Sequence, residues 1–246
     1  MDPSYSKTYR DLYERHWWWR AREEVVVATL ERLAPSTGWS AILDVGCGDA
    51  LFFDRLTRFA PFVEGVESDP TLVSAGNRWR DRVHVRPFDD TFDVGRRYGL
   101  VLMLDVLEHL QHPELALRHA LSLLEPGGRI VINVPAFEIL WTSHDDYNRH
   151  VTRFTRRSFA RVADAAGMWI ESCRYLFYWT WPVKLAQRVA ERVMPGAPRP
   201  AQVPRAWVNH TLLALCRAEE RLLRRLPMPF GSSLFLIGGK RAAPPP

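Results

Sequence analysis

The nine residues "LDVGCGDAL" (43–51) constrain the fold of this chain more than any other part of it. A short apolar run, "AILDV", carries Asp44 near its end. A Gly-x-Gly loop at Gly46 and Gly48 follows, then the helix-like "LFFDRLTRF". A strand that runs into a glycine loop and then a helix opens a nucleotide-binding α/β sheet, because glycine lets the backbone turn sharply and approach a ligand. The alternation continues. "FVEGVE", "RVHVRPF", "GLVLMLDV" and "RIVINVPA" read as further strands. "PELALRHALSLLEPGG" reads as a helix stopped by Pro126–Gly127–Gly128, and Asp69–Pro70 as the start of another. Thr155 caps the helix "RRSFARVADAAG", and "WIESCRYLFYW" and "SLFLIGGK" close the series. Strands alternating with helices pair in parallel through right-handed crossovers, with helices on both faces.

The two ends depart from this pattern. Residues 4–34 read as helical, with Tyr5, Tyr9 and Tyr13 on one face and Trp17, Trp18 and Trp19 following. They are expected to cover whatever the glycine loop holds, as a lid, or to pack on the sheet edge. Residues 183–230 are proline-interrupted and hold two amphipathic helices. Core packing is the plainest role for them; walling a substrate site, dimerising, or lying on a membrane through Trp179, Trp181 and an arginine-rich face are the others. The expected divisions are a cap (1–34), a core (35–182 with 231–241), a helical insertion (183–230) and a disordered tail (242–246). With 246 residues, one large α/β domain with attachments is the natural reading. Cys47, Cys173 and Cys216 fall in no metal or disulfide spacing. No apolar run is long enough to span a membrane, and the start "MDPSYSKTYR" lacks a signal-peptide core. A cytoplasmic setting is expected, with contact to the inner face of the membrane as a variant. The net charge of +5 suits an acidic substrate, nucleic acid or an anionic membrane, and equally a solubilising surface.

Two details narrow the nucleotide. A dinucleotide loop wants a third glycine three residues after the second, and Leu51 stands there. Asp44, two residues before Gly46, is badly placed beside a pyrophosphate and well placed for an ammonium. A cofactor with an amino-acid end and no phosphates meets both conditions, and S-adenosylmethionine is such a cofactor. Glu67, ending the second strand, is positioned to accept both ribose hydroxyls of an adenosine.

With these residues in view, the chain resembles the class I S-adenosylmethionine-dependent methyltransferases. "LDVGCGDA" resembles their glycine motif, "GVES" their ribose-acid motif, and "LVLMLDVLEHL" with "LLEPGGRIVINVP" their fourth- and fifth-strand motifs. The likeness spans roughly residues 40–180 and returns at "SLFLIGGK"; Ala50 is a departure at the third small position. It implies a doubly wound, Rossmann-like seven-stranded sheet of order 3-2-1-4-5-7-6, the last strand antiparallel. It also implies a cofactor set of Asp44, Gly46, Cys47, Gly48, Glu67, Ser68, Asp89, Leu104 and Asp105, with Asp90 the alternative to Asp89 at the adenine. Within the class the chain is most similar to a bacterial group of mostly unassigned substrate, through "HWW…R", "DVLEH" and the "HD…H…RFT" segment.

That segment, "WTSHDDYNRHVTRFTRRSF" (141–159), follows the fifth strand and so lies outside the carboxyl ends of the strands, where such sheets bind ligands. His144 beside Asp145 is a candidate general base, or a pair that only ties the loop down. The ubiquinone-pathway O-methyltransferases carry a similar His–Asp. A helical turn at "DVLEHL" would put Asp105, Glu108 and His109 on one face, and His150 would complete a divalent-metal set. Small-RNA 2′-O-methyltransferases resemble the chain in this spacing; the same turn otherwise shapes the loop against the cofactor. Arg156 and Arg157 in a first helical turn oppose the macrodipole, so an anionic partner or a solvated end is expected there.

Methylation of a hydroxyl on a small-molecule or a lipid- or glycan-linked acceptor is the leading expectation. The alternatives are a metal-assisted RNA 2′-O-methyltransferase and a non-catalytic cofactor-binding partner. Nucleic acid is the less favoured acceptor, because no separate RNA-binding module is present; a homodimer is allowed.

Overall fold

The computed structural model describes residues 3–194 and 201–241, with side chains from Tyr9 onward. The expected tail (242–246) and the side chain of Tyr5 lie outside the described residues. Seven strands form one sheet: β1 (Ala41–Val45), β2 (Phe62–Glu67), β3 (Val83–Val85), β4 (Tyr98–Leu104), β5 (Leu124–Pro135), β6 (Met168–Leu176) and β7 (Ser233–Lys240). Their order is β3-β2-β1-β4-β5-β7-β6, as expected. β1 with β2, β2 with β3, and β4 with β5 are parallel, and β7 runs antiparallel to β5 and β6. All of β1, and Tyr98–Met103 of β4, are buried without alternation. A parallel sheet covered on both faces produces that pattern.

The chain divides into two compact units, Met1–Phe88 with Ala201–Leu226, and Asp89–Pro200 with Pro227–Pro246. The first unit joins helices from distant parts of the chain. Residues 3–33 form two helices, α1 (Pro3–Arg15) and α2 (Trp17–Leu33), which break at His16. The Asn209 side chain bridges the break, accepting from the Trp17 N–H at 2.8 Å and donating to the Arg15 carbonyl at 2.6 Å. Asn209 belongs to α8 (Ala206–Leu223), which packs against α2 and pairs Arg217 with Glu24. The second helix of the expected insertion and the expected cap thus share one packing surface. A short helix α3 (Phe53–Leu56) follows the glycine loop. Where another helix was expected, Asp69 caps only a single turn, Pro70–Leu72.

In the second unit α4 (Pro113–Ser122) packs on α6 (Arg156–Ala166), which lies along β6. Thr155 caps α6, accepting from the Ser158 N–H at 3.1 Å, and Gly167 ends it at φ 79°. Between β5 and α6 stands a short helix, α5 (Ser143–Tyr147). β6 stops at Leu176 rather than running to Trp179, because Phe177 takes a left-handed φ of 59°. The next helix, α7 (Thr180–Val193), begins soon after. Trp179 and Trp181 are therefore not on an open face: both are half-buried, Trp181 against Phe230 at 5.7 Å between centroids. The large apolar groups exposed on the helices expected as the insertion are instead Val183, Val189 and Val193 on α7, and Trp207, Leu215 and Leu222 on α8.

Candidate functional site

The first unit carries the glycine loop. Gly46 and Gly48 adopt φ of 72° and 53°, and the Gly46 N–H donates to the Val66 carbonyl at 2.8 Å. Ala50 also takes a positive φ, 52°, so the expected departure from glycine is accommodated in the left-handed region. Gly65 on β2 is required by close approach: a Cβ there would stand 2.6 Å from Cys47 Sγ and 2.9 Å from the Asp44 carbonyl oxygen. The Glu67 carboxylate accepts from the Gly48 N–H at 3.0 Å, the Asp69 N–H at 2.9 Å and Ser68 Oγ at 3.4 Å. Asp44 is 5% exposed, and its carboxylate makes no hydrogen bond among the described residues. Burial raises its carboxyl to about 7, opposed by Arg22 and reinforced by Glu67. Burial also pushes the Cys47 thiol well up, followed by the charges of Asp44 and Glu67.

Asp49 was not singled out from the sequence. Its buried carboxylate accepts from Ser74 N–H and Oγ at 2.9 and 2.8 Å, from Asn77 Nδ2 at 2.9 Å, and from Arg10. These bonds tie the loop to the segment after β2. The only sequence signal for it was a carboxylate directly after Gly48.

The second unit carries the rest. Leu104 ends β4, and Asp105 follows at φ 58°. The Asp105 N–H donates to the Asn133 carbonyl at 2.8 Å, and Asn133 Nδ2 donates to Asp105 Oδ1 at 2.6 Å. Asn133 is fully buried, with its Oδ1 unbonded among the described residues. It too was not singled out, although a lone amide inside the apolar run "IVINVPA" was a readable signal. Asp89 lies in a turn, its Oδ1 accepting from Thr91 N–H and Oγ1 at 3.0 and 2.6 Å; Asp90 beside it is exposed.

The predicted common face of Asp105, Glu108 and His109 does not form. The turn covers only Leu107–His109, and Asp105, being left-handed, stands outside it. Glu108, His109 and His150 do come together, with one ligand-type atom of each within 4.8 Å of the others. His109 and His150 stack edge to face at 4.9 Å. Burial, then the neighbouring His150, lowers His109 below the ordinary imidazole value.

α5 determines which histidine meets Asp145. Asp145 is the third residue of α5, and its carboxylate turns back to accept from the Thr142 N–H at 2.8 Å, closing a capping box. Its other oxygen accepts from His150 Nδ1 at 2.8 Å and Arg153 Nη1 at 2.6 Å, all three side chains being buried or nearly so. Despite burial, these donors hold the Asp145 carboxyl well below the usual carboxylate range. The pairing expected from adjacency, His144 with Asp145, is not the one formed. Successive helical residues project about 100° apart, so His144 faces elsewhere. Its Nε2 meets Asn148 Nδ2 at 3.0 Å, and burial followed by the Lys184 ammonium lowers it to about 4.

Arg153 also donates to the carbonyls of Ala136, Phe137 and Ser232, so it is structural cement for this corner. Arg156 donates to the Met228 carbonyl at 3.1 Å and lies over the Tyr175 ring at 4.8 Å. A carbonyl and an aromatic face thus take the place of the expected anionic partner at Arg156, while Arg157 is solvated.

The methyltransferase-domain family model matches residues 18–172. A ubiquinone biosynthesis O-methyltransferase of Azorhizobium caulinodans is 30% identical over 130 residues, 50% of this chain and 47% of that protein. The aligned part thus spans about half the length of that curated relative. Among solved structures, the complex between the Haloferax volcanii Trm112 methyltransferase activator and a protein assigned as a methyltransferase aligns at TM-score 0.60 and 15% identity, covering 98% and 97% of the two chains. Haemonchus contortus phosphoethanolamine N-methyltransferase 2, bound to S-adenosylhomocysteine, aligns at TM-score 0.57 and 16% identity, covering 88% of this chain and 52% of that one. The family model covers more than half of the chain, and the seven-stranded sheet carries the order that the family resemblance implied: this chain belongs to the class I S-adenosylmethionine-dependent methyltransferases.

Proposed function

We propose that the chain methylates a hydroxyl of a small-molecule or a lipid- or glycan-linked acceptor, and that His150, oriented by Asp145, takes the hydroxyl proton. The observation that carries this reading is the His150 Nδ1–Asp145 Oδ1 contact of 2.8 Å, with Asp145 held ionised by Arg153. A buried carboxylate on Nδ1 fixes the imidazole tautomer and leaves Nε2 as the proton acceptor. His144, the other base candidate, has its Nε2 engaged by Asn148 and is a weak base. Likeness to ubiquinone biosynthesis O-methyltransferases supports oxygen as the acceptor atom.

S-adenosylmethionine supplies a methyl group on a sulfonium, open to in-line displacement. The residues of the first unit suit it. Asp44 is a buried carboxylate without a hydrogen-bonded partner, fit for an ammonium, and Glu67 fits a ribose diol. Gly46 and Gly48 bring the backbone close, with Cys47 and Ser68 flanking. In the second unit, Asn133 fixes Asp105 at the end of β4 beside Leu104, and Asp89 is assigned to the adenine.

A second reading is favoured by one observation, the convergence of Glu108, His109 and His150. A divalent ion there would polarise the acceptor oxygen, as in a metal-assisted 2′-O-methyltransferase. The two readings use His150 differently. Extracts incubated with the protein and cofactor labelled in its methyl group would identify an acceptor. With that acceptor, His150→Ala is expected to lower turnover by about 10²–10⁴-fold while S-adenosylhomocysteine affinity, measured by calorimetry, is kept. Full activity of His150→Ala with chelator present would refute both readings. Loss on chelation, restored by added metal, would favour the second.

A further inference from the structure

The chain holds only three lysines, Lys7, Lys184 and Lys240, among 33 basic side chains. Its basic side chains are overwhelmingly arginine, and of the two lysines whose side chains are described, Lys184 and Lys240, Lys184 is the one set among functional candidates. It lies on α7, one helical turn before Arg188 and two before Glu191, on the same face. That face meets the segment after β5. Arg188 donates to the Glu138 and Trp141 carbonyls at 2.6 and 3.4 Å, and Glu191 accepts from Ser143 N–H and Oγ at 2.9 and 3.0 Å. The docked face carries the half-buried Lys184 ammonium to within electrostatic reach of Arg153, Asp145, Asp105 and Glu191, and Lys184 in turn bears on His144.

The neighbours already have partners. Asp145 is bound by His150 and Arg153, Asp105 by Asn133, and Glu191 by Ser143 and Gln187. The Lys184 ammonium makes no hydrogen bond among the described residues. An ammonium has three donors to satisfy, and one that is partly desolvated without an acceptor leaves room for a ligand to provide it. Burial, and then Arg153, lower its value to about 8, so it is still mostly charged near neutral pH.

We propose that Lys184 is a specificity-determining cation of the acceptor site, and that the acceptor carries an anionic oxygen group, a carboxylate or a phosphate, which Lys184 binds beside the His150–Asp145 pair. The inference rests on the proposed methyl transfer, which it deepens by stating the charge class of the acceptor. An arginine would also bind such a group, while a methionine of similar length would fill the same space without charge.

The test uses the full chain saturated with S-adenosylhomocysteine. Brief acetic anhydride labelling, read by mass spectrometry, reports the reactivity of each lysine in chloride, inorganic phosphate or benzoate at equal ionic strength. Phosphate, benzoate or both should slow acetylation of Lys184 at least about threefold and leave Lys240 unchanged; the anion that protects identifies the group. The same anion should raise the melting temperature of the parent protein and of Lys184→Arg, but not of Lys184→Met. Equal labelling in all three salts, equal slowing of Lys240, or an undiminished melting shift in Lys184→Met would overturn the proposal. So would loss of S-adenosylhomocysteine binding in Lys184→Met, which would place the residue in cofactor binding. Failure of the parent protein to bind S-adenosylhomocysteine would count against the cofactor assignment, a result separable from the lysine result.

Discussion

Asp145 shows how one side chain can organise a loop. It closes the cap of α5, orients His150 and neutralises Arg153 with the same carboxylate. Breaking a buried pair leaves an uncompensated charge, here on Arg153, which is 3% exposed. Asp145→Asn is therefore expected to lower unfolding free energy by about 3–5 kcal/mol, measured by urea denaturation at pH 7. The pH dependence has a definite sign. The folded carboxyl is depressed, so its stabilisation is complete above the unfolded carboxylate value of about 3.9 and is lost as pH falls below it. The variant should lack that part of the acid destabilisation. A change below 1 kcal/mol at pH 7 would mean that Arg153 finds water instead.

At the scale of elements, the approach of the glycine loop to β2 is the tightest fit near the candidate cofactor residues. A Cβ at Gly65 meets the Asp44 carbonyl oxygen, which cannot move without displacing β1. Gly65→Ala should shift Asp44 and Cys47 together. The expected result is at least about a tenfold loss of S-adenosylhomocysteine affinity by calorimetry and destabilisation of about 1–3 kcal/mol, the usual range for overpacking. Unchanged affinity would show that the loop binds its ligand from other positions. α8 makes a different point. Its amphipathic pattern was readable, but its partner was not: Asn209 closes the α1–α2 break from 192 residues away along the chain.

For the molecule as a whole, ligand binding and stability are linked. Anything that binds only the folded chain stabilises it in proportion to the logarithm of its saturation. If Asp44 meets the cofactor ammonium, it must be ionised, and its carboxyl lies at about 7. The ionised fraction then rises roughly tenfold from pH 6 to pH 8, so S-adenosylhomocysteine should bind roughly tenfold tighter at the higher pH. The extra stabilisation is about 1.4 kcal/mol, read as a larger melting shift at saturating ligand. Asp44→Asn should bind weakly at both pH values with no slope. A slope that persists in Asp44→Asn would assign it to another group.

The strands, the glycine loop, the helix cap at Thr155 and the cofactor class were legible in the residues, because each rests on local pattern, whereas the strand order followed from the family resemblance. Period-two and period-3.6 hydrophobicity specify elements, and glycines mark backbone that no side chain tolerates. The candidate catalytic set was legible as a list but not as a geometry. Asp105, Phe137 and Arg149 all take left-handed φ near 58°, a state that nothing in their identities requires. The first removes Asp105 from the turn that was to align it with Glu108 and His109, and the last reverses the chain after α5 so that His150, not His144, returns to Asp145. Asp49, Asn133 and Lys184 acquire their settings from groups 25, 28 and at least 31 residues away along the chain, Ser74, Asp105 and Arg153. Such contacts depend on how helices and strands pack, and a hydrophobic pattern specifies which face is buried without specifying which polar group will meet it there.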